Sequence, residues 1–294
     1  MLNSDQIMAF LAVMRDGNCV AAARRLRLDH STVSRRLASL EERLQTRLFD
    51  RSPRGLMPTE AAVSFLPHAE RIEIELLRAA DAVSARDVPV SGTVRVATPE
   101  IFGTAFLAPL VPALRELHPD LVIELVPESR AISLSKREAD VAISVRRPTG
   151  GRVAARKLAD YRLGLFASSD YVDLLGAPAS ARDLEGHDFV SYVDDLVELP
   201  ELLALDRTMP RGPVVFRSST SAAQLAAVAA GTGVGLLHLL AAAEDPRLVR
   251  LLAKEVEIVR TYWLIVHNDL RRVARVRAVV DFIAAKVASN LRIL

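Results

Sequence analysis

The hydrophobic period of this chain changes once, near Gly92. Before it, apolar residues recur every three or four positions, which is the spacing of one face of an α-helix. After it, short apolar runs alternate with helical stretches, as strands joined by crossover helices do. A helical N-terminal part is therefore joined to an α/β part.

Within the first part, Ile7, Met8, Phe10, Leu11 and Met14 predict a helix over 5–15, stopped by Asp16-Gly17-Asn18. A short helix over 20–26 follows, where Ala21, Ala22 and Ala23 permit close approach, and then a tight polar turn, Arg27-Leu28-Asp29. The next helix spans 30–45. Val33, Leu37, Leu40 and Leu44 share one face, and His30, Ser31, Ser34, Arg35 and Ser39 lie opposite. Asp29 is placed to cap it. Pro53, Gly55 and Pro58 among apolar Leu48, Phe49 and Leu56 predict a short hairpin or wing. A long helix over 59–85 carries a heptad-like stripe of Phe65, Ala69, Ile72, Leu76, Ala79 and Val83. Such a stripe suits either a partner helix or the chain's own domains. Pro67 inside it removes one backbone hydrogen bond and should kink it. Residues 86–92 read as a hinge.

In the second part, strands at 93–98, 121–126 and 140–145 alternate with helices at 102–117 and 132–138. This βαβαβ order predicts a parallel sheet with right-handed crossovers. A similar run starts with a strand at 162–167. Strands at 189–192 and 214–217, a helix at 221–230 and strands at 233–237, 248–252 and 262–267 continue it. A helix at 272–288 closes the chain. Two similar α/β halves leave a cleft between them.

Charge is informative through its distribution. The net charge is only +2, but the segment ending at Arg54 holds ten arginines against six acids, a balance of +4. Arginine's planar fork suits phosphate and guanine. The one cysteine, Cys19, cannot form an internal disulfide, which fits a reducing, cytoplasmic setting. The N-terminus has no signal-peptide pattern, and the apolar stretch 222–243 is too interrupted for a membrane span. The six histidines form no metal-ligand spacing. Gly231-Thr232-Gly233-Val234-Gly235 lacks the dinucleotide spacing and reads as a helix end entering a strand. No nucleophile elbow occurs. We therefore expect no catalytic residue, metal or cofactor.

A helix, a tight turn and a second helix with an outward polar face suit the DNA major groove, about 12 Å wide. A small bundle with a solvated basic face has the same pattern. Residues 18–26 (NCVAAARRL), 31–37 (STVSRRL), 40–44 (LEERL) and 48–51 (LFDR) decide the matter, with Thr59-Glu60-Ala61 beyond them. Together they resemble the winged helix-turn-helix of LysR-type transcriptional regulators. Gln45 and Ala62 stand where that family usually has glycine, Met57-Pro58 where leucine is usual before the threonine, and His238 where proline is common.

The resemblance implies a winged helix-turn-helix over 1–58 and a linker and dimerisation helix with hinge over 59–91. Residues 92–294 would form a two-lobed, periplasmic-binding-protein-like α/β effector domain, with lobe I at 92–161 and 268–294 and lobe II at 162–267. It implies a homodimer or homotetramer on a pseudo-palindromic duplex. His30, Ser31, Thr32, Ser34, Arg35 and Arg36 would face the DNA, with Arg51 and Arg54 on the wing.

Ligands of parallel α/β sheets sit beyond the strands' carboxyl ends, near helix N-termini. That rule selects Thr98, Pro99, Phe102, Ser129, Arg146, Ser218, Ser219 and Thr220 for a small anion or carboxylate. The expected function is a ligand-controlled DNA-binding regulator. A solute-binding protein using the same cleft is the alternative, and an α/β enzyme a third.

Overall fold

Three helices lead the chain in the computed structural model: α1 (Ser4–Asp16), α2 (Cys19–Leu26) and α3 (His30–Leu44). The structure describes residues 2–52, 55–83, 90–127, 139–196 and 212–290, without the side chains of residues 51, 52, 78 and 80–83. The described residues group into two compact units, one built mainly on residues 1–88 and the other on most of the rest.

Local rules start and stop the helices of the first unit. The Asn3 side chain accepts from the Asp5 amide at 3.0 Å, and Gln6 Oε1 accepts from the Asn3 amide at 3.2 Å. This reciprocal cap opens α1, and Gly17, at φ +73°, closes it. Asn18 caps α2 by accepting from the Ala21 amide at 2.8 Å. Asp29 holds the N-cap position of α3, but its side chain makes no capping bond, contrary to expectation. Its own carbonyl already takes the Thr32 amide, the usual partner of a cap side chain.

The core of this unit is one cluster. Phe10, Leu11 and Val13 meet Ala22 and Ala23, then Val33, Leu37 and Leu40, and finally Leu48 and Phe49. The Phe10 ring centroid lies 5.7 Å from Phe49 and 5.1 Å from Phe65. Cys19 is only half-buried at the edge of this cluster. The wing is a hairpin of β1 (Phe49–Ser52) and β2 (Gly55–Pro58). Glu41 of α3 fixes its base, accepting from the Leu48 and Phe49 amides at 2.7 and 3.1 Å. The Leu56 amide donates to the Gly17 carbonyl, and a Cβ on Gly55 would come within 2.9 Å of that oxygen. Only glycine fits there.

Helix α4 (Glu60–Val83) continues through Pro67. Its apolar stripe divides. Phe65, Ala69 and Ile72 pack on the unit's own core, whereas Leu76 is 45% exposed and Ala79 is exposed. Arg15 and Glu73 lock α1 to α4 through two hydrogen bonds, 3.1 and 2.6 Å.

The second unit holds one mixed sheet. Its strands are β3 (Gly92–Thr98), β4 (Leu121–Pro127), β5 (Val141–Ser144), β6 (Val153–Ser168), β7 (Phe189–Tyr192), β8 (Val214–Ser218), β9 (Val234–His238), β10 (Leu248–Leu251) and β11 (Glu257–His267). The order is β4-β3-β5-β11-β6-β9-β7-β8, with β10 added on β6. Strands β4, β3 and β5 run parallel, as do β8, β7 and β9. The antiparallel pair β11 and β6 joins the two triplets, so each half mirrors the other. A π-helical turn, Phe102–Leu107, runs into α5 (Ala108–Leu117). Among the described residues the remaining α-helices are α6 (Ser169–Leu175), α7 (Ser221–Ala229), α8 (Leu239–Ala242) and α9 (Ala274–Ser289).

The strands expected at 162–167 and 262–267 are the ends of much longer ones. Strand β6 spans 16 residues and β11 spans 11. A lobe boundary between residues 161 and 162 therefore falls inside a continuous strand. Exposed Arg156, Lys157, Asp160 and Arg162 interrupt the apolar run of β6. A register shift at Tyr262/Trp263 also breaks the two-residue alternation that marks a strand. The expected helix at 132–138 lies outside the described residues. Gly231, at φ +87°, ends the turn after α7 and leads into β9, as its sequence suggests. Among the described residues no helix is long and apolar enough to cross a membrane.

Candidate nucleic-acid interface and effector cleft

Helix α3 is held from behind by α1. Gln6 Nε2 donates to Ser39 Oγ at 2.8 Å, and Arg36 pairs with Asp5 at 2.6 Å. Arg36 is thus engaged with α1. The other face is open. His30, Ser31 and Arg35 are exposed, and Thr32 and Ser34 are half-exposed. His30 Nε2 lies 3.4 Å from Ser34 Oγ. Arg35 makes no hydrogen bond or ion pair among the described residues. Arg25 at the back of α2 is occupied by both oxygens of Asp16, at 2.7 and 2.5 Å. The geometry offers a helix N-terminus with hydroxyls, an imidazole and one free guanidinium, a set that can read base edges and phosphate. The Arg51 side chain and the whole of Arg54 lie outside the described residues.

In the sheet unit an aromatic column crosses the central strands. Phe102 packs on Tyr262 at 5.0 Å, Tyr262 stacks on Tyr161 at 4.0 Å, and Tyr161 stacks on His238 at 5.2 Å. Phe102 is fully buried in this column. The Tyr262 hydroxyl and Thr98 Oγ1 are buried and have no hydrogen-bond partner among the described residues. Burial pushes the Tyr262 hydroxyl upward, and burial pushes the His238 ring down to about 4, so His238 is neutral near pH 7. His238 also continues β9 directly into α8, where a family proline would otherwise bend the chain.

His238 faces a small hollow with Ile101, Ser221, Gln224, Leu225 and Leu236. The hollow has about 10 Å³ for the centre of a water molecule, room for about one. Its polar rim is pinned. Gln224 Nε2 donates to the Ser191 and Ser218 carbonyls, each at 3.2 Å, and the Tyr192 hydroxyl lies 3.2 Å from Ser221 Oγ. Thr220 Oγ1 accepts from the Ala223 amide at 3.3 Å, and Ser218 Oγ from the Thr220 amide at 3.1 Å. Glu100 Oε2 accepts from the Ala222 amide at 3.2 Å, joining the end of β3 to the N-terminus of α7.

Of the residues selected from sequence, Thr98, Pro99 and Phe102 flank Glu100 and Ile101, and Ser218, Ser219 and Thr220 lead into Ser221. None of these six lines the hollow itself. Arg146 is exposed at a turn, and Ser129 lies outside the described residues. The six selected residues lie one to three positions along the chain from Ile101 and Ser221, which line the hollow. His238 was visible only as a departure from the family pattern.

Two family models match the chain. "Bacterial regulatory helix-turn-helix protein, lysR family" covers residues 4–63, and "LysR substrate binding domain" covers residues 88–288. The transcriptional regulator CrgA of Neisseria meningitidis serogroup C is 27% identical over 98% of this chain and 98% of its own length. An HTH-type transcriptional regulator of Xanthomonas campestris is 32% identical, over 61% of this chain; the match spans about half of that relative, 52%. The crystal structure of ArgP from Mycobacterium tuberculosis superposes with a TM-score of 0.67 at 22% identity, over 99% of both chains. The helix-turn-helix with its open polar face, the duplicated sheet and both family matches agree, and the chain belongs to the LysR family of transcriptional regulators, with an N-terminal DNA-binding helix-turn-helix and a C-terminal effector-binding domain.

Proposed function

We propose that this regulator reads its operator with the open face of α3. His30, Ser31, Thr32, Ser34 and Arg35 face base edges, Arg36 supports them from its pair with Asp5, and Arg51 and Arg54 of the wing meet phosphate or the minor groove. Two copies joined along α4 place two such helices in successive major grooves of a pseudo-palindromic cytoplasmic DNA site. The exposed Leu76 on α4 supports that pairing. The observation that carries the reading is the uncommitted, exposed Arg35 beside the hydroxyl-lined N-terminus of α3. Domain limits of 1–58, 59–91 and 92–294 suit this division of labour.

A small carboxylate acts through the sheet unit. It does so by preferring one of two arrangements of the cleft, since a ligand of equal affinity for both shifts nothing.

A gel shift with duplex from upstream of the gene tests the first claim. Replacing His30, Ser34 and Arg35 together by alanine should weaken binding by about 2–4 kcal/mol, roughly 30- to 1000-fold, with the melting temperature unchanged. Unaltered affinity in that variant rejects the assigned face.

A further inference from the structure

Three observations about the cleft belong together. The Glu100 carboxylate crosses from the end of β3 to the Ala222 amide, in the first turn of the nine-residue helix α7. The next amide, of Ala223, is already taken by Thr220. The chain neighbours of this contact, Ile101 and Ser221, line a hollow with room for about one water. A ligand of several heavy atoms therefore cannot settle there while the contact stands. Beside this hollow a carboxylate oxygen already sits on a helix N-terminus, the place where an acid binds best.

We propose that Glu100 is a built-in latch: its carboxylate stands in for that of the effector and holds the cleft shut until an incoming small carboxylic acid displaces it from the Ala222 amide. This rests on the carboxylate reading above and adds the step that binding must accomplish. One amide hydrogen serves one acceptor, so the two carboxylates compete. The displacing acid places its body among Ile101, Leu225 and Leu236, and its remaining polar atoms meet Ser221, Gln224 and His238. Burial keeps His238 neutral, so it offers the acid a hydrogen bond without a full charge. Selectivity for the anion then comes from the helix terminus that Glu100 vacates.

The test uses the full-length protein, with sodium benzoate and its uncharged relative benzamide as probes, in isothermal titration. Glu100→Ala removes the competitor, and Glu100→Gln keeps its shape with a weaker acceptor. Both variants should bind benzoate more tightly than the unaltered protein, by about tenfold for Glu100→Ala, because the open cleft no longer has to be released. Benzamide should gain from the same release, but in every form it should bind more weakly than benzoate, because it brings no charge to the helix terminus. Equal benzoate affinity in all three overturns the latch, as does weaker benzoate binding in the variants, benzamide binding as tightly as benzoate, or no benzoate binding in any of them. Should Glu100→Ala fail to fold, Glu100→Gln decides alone. Duplex binding is followed separately by gel shift, so failure of the latch leaves the assignment of the α3 face standing.

Discussion

The two units treat their polar residues in opposite ways. The helical unit buries an almost wholly apolar cluster around Phe10 and turns Arg35, His30 and Ser31 outward. The sheet unit draws Thr98 and Tyr262 into its middle and stacks the half-buried His238 on Tyr161; the Thr98 and Tyr262 hydroxyls find no partner among the described residues. The difference follows from what each meets. A duplex is a large polyanion reached from solvent, so its contacts stay hydrated and mobile until binding. A small molecule must be enclosed, and inside a low-dielectric cleft a single hydrogen bond discriminates more strongly. A binding surface can be left open on the first unit, whereas on the proposed reading the second holds its recognition groups desolvated beforehand.

The largest effect we expect comes from the helical core. Phe10→Ala removes a fully buried ring that touches Phe49 and Phe65, at a cost of about 3–5 kcal/mol. Duplex binding should be lost. Emission of the only tryptophan, Trp263 on β11, should keep its native maximum because the sheet unit has a core of its own. Loss of native Trp263 emission in that variant would break the contrast between the units.

The next effect belongs to His238. Its ring is held near 4 in the fold against 6.5 when free, so the unfolded chain binds a proton first as the pH falls. Stability is therefore full above about pH 6.5 and declines between 6.5 and 4, by about 2–3 kcal/mol in all. Urea denaturation at several pH values, followed by Trp263 emission, should show this decline. His238→Gln should flatten it, and an unchanged slope would remove His238 from the account.

The smallest effect sharpens the helical side. Gln45 ends α3 with φ +50°, a left-handed conformation that a side chain disfavours. Gln45→Gly should stabilise this unit by about 1 kcal/mol in thermal melts, with operator affinity unchanged. A loss of stability would mean that the Gln45 side chain makes a contribution of its own.

Much of this was legible from sequence, for identifiable reasons. The Val33, Leu37 and Leu40 stripe located the buried face of α3, and thereby the open one. The βαβ alternation gave the parallel triplets. Legibility failed where a residue's neighbours are remote. The stripe of α4 looks uniform in sequence, yet its first half packs on the Phe10 cluster and Leu76 does not. Strand β6 was cut short because its exposed arginines and lysine imitate a loop. Glu100 gave no signal at all, since its partner, Ala222, lies 122 residues away.

The sequence by itself determined the N-terminal helices, the alternation of strands and helices in each half and the family, because these depend on periodicity and on motifs of residues a few positions apart. Tertiary structure alone decided that two long strands weld the halves into one sheet, that Arg36 is engaged while Arg35 has no partner among the described residues, and that Glu100 reaches the Ala222 amide. Those outcomes turn on distances between residues far apart in the chain, which no local pattern encodes.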